Sequence, residues 1–403
     1  MRRGRNLPFA IPARLLALVA TAAVAWSSLG LVAHAADERS RPAAVAAPDL
    51  AAAMVLYRHA LAEYQSARAS YDAAAESYWR SIAEKRRLRR AKRANHETIT
   101  LNDYVLAQPP VYTGPPKPRD PTMPPEAAPL PPYVPVVADF LAAAQREFNF
   151  VPLLPQSESA FKQTYARVAL TAGLGREQIV RIYAFEAGGN GEYDVQAGLE
   201  NNKRAHAITT ALGYNQLLST NSVEIVAESG NAFVRALLAR AARLPHGRRS
   251  ALDAKLVILR KMIGFARSVP DDWNKHQLLA NTPKGLGVHA LNLDLDIGPL
   301  LQTQKLMDSI VFARRKGLDA TLTAAELEMM NLTGDGSGFD MITMPAAWRD
   351  KVATANFFQQ SGYRDNPVAQ RNNVVAKLIA ATDAVMDREI KKPGAKELLE
   401  ALR

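Results

Sequence analysis

The 403-residue chain contains no cysteine, which excludes disulfides, a thiol nucleophile, cysteine-bound zinc and a lipid anchor on an N-terminal cysteine. A chain of this length can bury enough apolar surface to fold without cross-links. Strand-like alternation of apolar and polar residues is nearly absent, and only Gly188 to Gly198 and Gly334 to Thr343 carry the pattern of a small hairpin or ordered loop. After residue 35 no apolar run approaches the roughly 20 residues that span a bilayer. Neither a Gly-x-Gly-x-x-Gly element nor a P-loop occurs, so nucleotide chemistry has no support. Acidic residues fall short of basic ones by 11, giving a formal net charge of +11. Such a balance suits an anionic partner, although part of the excess sits in the N-terminal segment and in one local run.

The N-terminus supplies Arg2, Arg3, Arg5 and Arg14, an apolar stretch from Leu15 to Val32, and Ala33-His34-Ala35. A charged head, an apolar middle and an Ala-x-Ala site predict a signal peptide over residues 1–35 and export to the periplasm. The apolar stretch is long for a signal peptide, which leaves open retention through an uncleaved anchor. In an exported protein the anionic partner is phospholipid or wall polymer, and no nucleic acid is expected.

Residues 36–106 hold an Ala-rich segment, free of Gly and Pro from Leu50 to Arg93, with Tyr57, Tyr64, Tyr71 and Tyr78 seven residues apart. That spacing predicts one long helix with a tyrosine seam packed on a partner helix or on a second copy of itself. The helix ends in the basic run Lys85 to Arg93, expected as a solvated helix end and a candidate contact for an anionic membrane or wall polymer. Residues 107–135 carry twelve prolines and predict an extended, semi-rigid linker. From residue 136 to 403 the pattern is helical throughout, with segments expected over 136–148, 159–172, 176–187, 205–217, 221–243, 248–268, 286–316, 323–332, 352–360, 368–390 and 394–402.

The chemistry concentrates in residues 176–218. On a helix, Ile179, Ile182 and Tyr183 lie seven, four and three residues before Glu186, so a carboxylic acid shares their apolar face. Burial there disfavours the carboxylate and raises its pKa, as a general acid near neutral pH requires. A Gly-rich turn, Glu186-Ala187-Gly188-Gly189-Asn190, follows, and Gly213-Tyr214-Asn215-Gln216 comes later. Together with Ala172-Gly173-Leu174-Gly175 ahead of the helix, these elements resemble the lysozyme-like soluble lytic transglycosylases and goose-type lysozymes over residues 159–230. That family has a Glu-Ser-Gly-Gly-Asn-like turn and a Gly-Leu-Met-Gln-like motif. Here Ala187 replaces the serine, the interval between the motifs is enlarged, and a later Ala-Tyr-Asn motif has no clean counterpart.

The resemblance implies an all-α, lysozyme-like domain that cleaves peptidoglycan glycan strands without a cofactor or metal. It implies Glu186 as general acid and then base, with Tyr214, Asn215 and Gln216 lining the glycan cleft. Gln216 equally suits a structural amide that ties helix ends together. If water were the nucleophile, Glu192 or Asp194 would supply the second carboxylate, their ordinary reading being turn solubility and capping. A non-catalytic envelope scaffold or glycan-binding protein is the other class that these features allow.

Other pairings carry less. Ser159-Ala-Phe-Lys162 and Ser219-Thr-Asn221 fit two signatures of penicillin-binding proteins, but no Lys-Thr-Gly or Lys-Ser-Gly accompanies them. His289, Asp294 and Asp296 lie close in sequence, yet on a helix Asp294 points away from the other two, so capping and surface roles are expected. Asp335-Gly-Ser-Gly-Phe-Asp340 lacks the alternating ligands of a calcium loop and reads as a turn.

Overall fold

A computed structural model describes residues 50–123, 132–198 and 207–403. The signal segment expected over residues 1–35 lies outside them. The described residues fall into two compact units, divided between Pro132 and Tyr133. All regular elements among them are helices; extended pairing is limited to isolated bridges. None of these helices is long and apolar enough to cross a membrane.

The first unit is built on α1 (Leu50–Ala94), 45 residues long. The tyrosine seam forms, but the Pro-rich segment fills it. Tyr112 meets Tyr64 and Tyr71 edge-on at ring centroid distances of 6.4 and 5.5 Å, and the Tyr78 hydroxyl donates to the Ala107 carbonyl at 2.9 Å. Arg68 sits over the rings of Tyr71 and Tyr112. Polyproline backbone makes no ladder of its own, and its flat rings and open carbonyls suit a row of tyrosines. Part of the segment expected as an extended, semi-rigid linker is therefore, over residues 107–115, a strap running antiparallel to the helix.

The basic run likewise departs from a solvated helix end. Lys85 donates to the carbonyls of Asn102 and Tyr104, and Lys92 pairs with Asp103 at 2.7 Å. Arg89 is buried, donates to the Asp103 carbonyl at 2.9 Å and lies 4.3 Å from the Tyr104 ring centre. Burial acts to raise Asp103, but the Lys92 ammonium and the Thr100 donors outweigh it and hold the carboxyl below its ordinary value. These contacts fix the point where the chain turns back.

Among the described residues the second unit packs fifteen helices: α2 (Val137–Phe148), α3 (Glu158–Ala172), α4 (Arg176–Glu186), α5 (Ser219–Ala241), α6 (His246–Ala266), α7 (Trp273–Ala280), α8 (Pro283–His289), α9 (Gly298–Arg315), α10 (Ala324–Thr333), α11 (Asp335–Ile342), α12 (Ala346–Arg349), α13 (Gln360–Arg364), α14 (Pro367–Arg371), α15 (Val375–Glu389) and α16 (Pro393–Ala401). Local sequence sets many of their ends. Ser157, Asp272, Thr282, Thr323 and Asn366 cap helix starts through their side chains, and Gly173 ends α3 at φ 97°. One core joins Val223, Val226 and Phe233 of α5 to Leu256, Leu259 and Met262 of α6. Gly230 lets these helices approach, since a Cβ there would stand 2.5 Å from Ile263.

Four expected helices change form, one of them 368–390, which divides into α14 and α15. Within 205–217, the described residues 207–217 make a bridged loop: Leu212 pairs with both Gln196 and Leu217, and Gly213 and Gln216 adopt φ of 83° and 43°, which a helix cannot hold. The 286–316 segment breaks at Asp294, whose carboxylate accepts from the backbone of Asp296 and Ile297. Within 352–360 only a short 3-10 turn forms. Conversely, the Asp335–Asp340 turn is helical, and α7 was not expected.

Candidate active site

Helix α4 presents Glu186 because its start and its middle are tied. At its start, Gln178 accepts from the backbone of Gly175 and donates to the Leu322 carbonyl at 2.7 Å, just ahead of α10. In its middle, Arg181 pairs with Asp383 at 2.6 Å and Asp387 at 2.5 Å on α15. Ile179, Ile182 and Tyr183 are fully buried, and Glu186, the last helical residue, keeps part of its surface open. The apolar face read from the sequence is the buried one.

Two side chains of α10 meet the Glu186 carboxyl. Asn331 donates to Glu186 Oε1 at 2.7 Å. Glu328, one turn earlier, is 1% exposed. Two neighbouring buried carboxyls do not readily ionise together. Burial drives Glu328 well above the ordinary carboxylate range, and the Glu186 charge drives it further. Burial raises Glu186 to about 7, against the opposing effects of the Glu328 hydrogen bond, the Lys305 charge and Asn331. Glu186 therefore changes charge near neutrality while its neighbour keeps the proton.

A second carboxyl behaves similarly. Glu224 on α5 is half-buried, and burial raises it to about 7 against the Lys305 charge, with Glu228, Asp271 and Asp308 adding repulsion. Lys305 on α9 acts on both Glu186 and Glu224. The signal in the sequence was the pair Glu224 and Glu228 at four-residue spacing on an otherwise apolar stretch, Val223 to Glu228. Glu328 and Asn331 gave none, because one turn of Glu-x-x-Asn on a helix is an ordinary polar pair.

The other expected site residues lie around the Gly-rich turn. Tyr214 has no exposed surface: Phe161, Tyr165 and Tyr183 surround its ring at 5.2, 5.2 and 4.6 Å, and its hydroxyl donates to Glu158. Such a ring supports the turn and offers no face to a sugar. Asn215, 1% exposed, donates from its backbone to Gln302 Oε1 and from its amide to the Gln302 carbonyl and Tyr165 hydroxyl. Gln216 is half-buried, and its amide donates to the carbonyls of Gly213 and Val195 at 2.8 and 3.2 Å. Asp194 is half-buried; burial, then the Glu192 charge, raises it.

The remaining polar clusters are structural. His289 is fully buried, with Nδ1 facing the Ser222 hydroxyl and Nε2 the Thr210 carbonyl, both at 2.8 Å. Asp294 and Asp296 are buried rather than on the surface; Lys255 bridges them and Arg240 pairs with Asp296. No group of three metal-ligating side chains is gathered among the described residues.

No family model, curated protein or solved structure matches this chain.

Proposed function

We propose that the protein is an exported enzyme whose lysozyme-like domain cleaves the β-1,4 bond between N-acetylmuramic acid and N-acetylglucosamine in peptidoglycan, with Glu186 as its general acid and base. One observation carries the reading. Glu186 is partly open, and burial raises it to about 7 against the opposing Glu328 hydrogen bond, Lys305 charge and Asn331 amide. Such a group donates its proton to the glycosidic oxygen as the bond to the sugar carbon breaks. The resulting carboxylate then takes the proton of the sugar's own 6-hydroxyl, whose oxygen closes onto that carbon as a 1,6-anhydro ring. No second carboxylate is consumed. Lys305 steadies the anionic interval.

In this reading Tyr214, Asn215 and Gln216 serve the site from beneath. They fix the loop that carries Asp194, and the glycan meets other surfaces. The same enclosure of Tyr214 and Asn215 favours the second reading, a glycan-binding scaffold without turnover. Digestion of purified sacculi by the full chain, followed by mass spectrometry, separates the two. The expected result is release of 1,6-anhydro muropeptides, lost by about 10²–10⁴-fold in Glu186→Gln. Retained binding with no product from the wild type would leave the scaffold. Reducing-end products would mean hydrolysis.

A further inference from the structure

The turn that follows Glu186 is held from the far end of the chain. Gly189 has φ 67°, and its carbonyl accepts from the backbone N–H of Ala395 in the first turn of α16 at 2.8 Å. A Cβ on Gly189 would stand 2.4 Å from the Glu389 carbonyl, and one on Gly394 would stand 2.5 Å from the Gly189 carbonyl and 2.7 Å from the Tyr183 hydroxyl. Glycine on both sides thus lets two backbones touch. The Tyr183 hydroxyl, one turn before Glu186, donates to the Gly191 carbonyl at 2.8 Å.

Beneath the turn lies an ion pair that again uses α16. Lys162 of α3, 1% exposed, pairs with Glu397 at 2.6 Å and lies 3.7 Å from Glu158. Glu158 in turn accepts from the Tyr193 backbone at 2.9 Å and from the Tyr214 hydroxyl. Residues 189–193 are therefore pinned by α16 above and by the Lys162, Glu158 and Glu397 group below. Surface ion pairs contribute little to stability, but a buried lysine that loses its nearer carboxylate is costly, so this geometry is well determined.

We infer that α16 is a positioning element for Glu186: Gly394 and Glu397 act through the turn at 188–193 to set the angle at which α4 ends and hence the place of the Glu186 carboxyl against Glu328 and Asn331. Neither residue touches the reacting groups. The inference rests on the proposed function, in which Glu186 is the proton donor. A carboxyl displaced by even an ångström loses its alignment with the glycosidic oxygen, and such misplacements cost on the order of 10²-fold in rate. It also leaves Glu328, and its titration changes with that contact.

The test uses the full chain with ¹³C-labelled glutamate, the Glu186 signal being assigned by its disappearance in Glu186→Gln. Gly394→Ala places a methyl against the Gly189 carbonyl and the Tyr183 hydroxyl. Glu397→Gln removes the nearer partner of Lys162 and covers the case in which Gly394→Ala fails to fold. Gly362→Ala, where a Cβ meets nothing within 4 Å, controls for the exchange itself. Either test variant is expected to move the Glu186 titration midpoint upward by about one unit or more, because the Glu328 and Asn331 hydrogen bonds that oppose burial are weakened. Turnover on sacculi is expected to fall at least about tenfold with KM unchanged, while Gly362→Ala matches the wild type. An unmoved Glu186 titration in a folded variant overturns the inference, even if its melting temperature drops. The titration needs no turnover, so a wild type inert on sacculi would sink the proposed function and still leave the role of α16 decided.

Discussion

Glu186→Gln should make the protein more stable, and only above acidic pH. Glu186 titrates near 7 in the folded chain and near 4.3 when unfolded. The unfolded chain therefore ionises first. Below about pH 4 both states hold the proton and the site costs nothing. As pH rises through 7 the folded state pays for keeping a carboxyl neutral, or for ionising it beside Glu328, and stability falls. A shift of this size corresponds to about 4 kcal/mol at 1.36 kcal/mol per unit. Because Glu186 keeps some exposure, a discount to roughly 1–3 kcal/mol is appropriate. Glutamine never ionises, still accepts from Asn331, and offers its amide to Glu328, whose burial then goes uncontested. Urea unfolding followed by circular dichroism at pH 4, 6 and 8 gives the measurement. The variant should match the wild type at pH 4 and exceed it by roughly 1–3 kcal/mol at pH 8. A variant equal to or weaker than the wild type at pH 8 would mean that the Glu186 carboxylate is well solvated, and the argument for a proton donor would fail with it.

Two further outcomes follow from groups away from that pair. Burial lowers His289 to about 4, so its folded form resists protonation; stability is full above pH 6.5 and is lost as pH falls from 6.5 to about 4, by up to roughly 3 kcal/mol. His289→Gln should flatten that acid limb in an unfolding series even where its overall stability is lower, and an unchanged limb would count against the reasoning. Tyr112→Ala removes the ring that meets Tyr64, Tyr71 and Arg68, so hydrogen exchange and protease cleavage over residues 104–118 should rise sharply while α1 keeps its helical signal. Cleavage as slow as in the wild type would show that the tyrosine seam does not hold the strap.

The sequence is most transparent where one physical pattern dominates. The 3.6-residue apolar period of α5, α6 and α9 outlined the all-α second unit, and the position of Glu186 among Ile179, Ile182 and Tyr183 was legible because three apolar neighbours share its face. The loop at 207–217 misled because Ala-, Leu- and Thr-rich stretches satisfy a helical period, whereas Gly213 needs φ 83° to pass Gln302. The tyrosine seam was read correctly as a seam but assigned a helical partner; periodicity states that a face is covered and is silent on what covers it. Glu328 and Glu397 were out of reach for another reason. Their neighbours stand 142 and 235 residues away, and no local pattern encodes such meetings.

The strap also limits how far the first unit can extend as a tether. A helix of 45 residues is about 68 Å long, and a chain that continued straight from its end would add the whole of that distance. Here the chain doubles back, and Gly114 comes beside Ala67. Measured along the helix axis, that point is only about 26 Å from Leu50. The unit consequently provides stiffness at a short reach: whatever precedes Leu50 and whatever follows Gly114 leave from the same half of the rod.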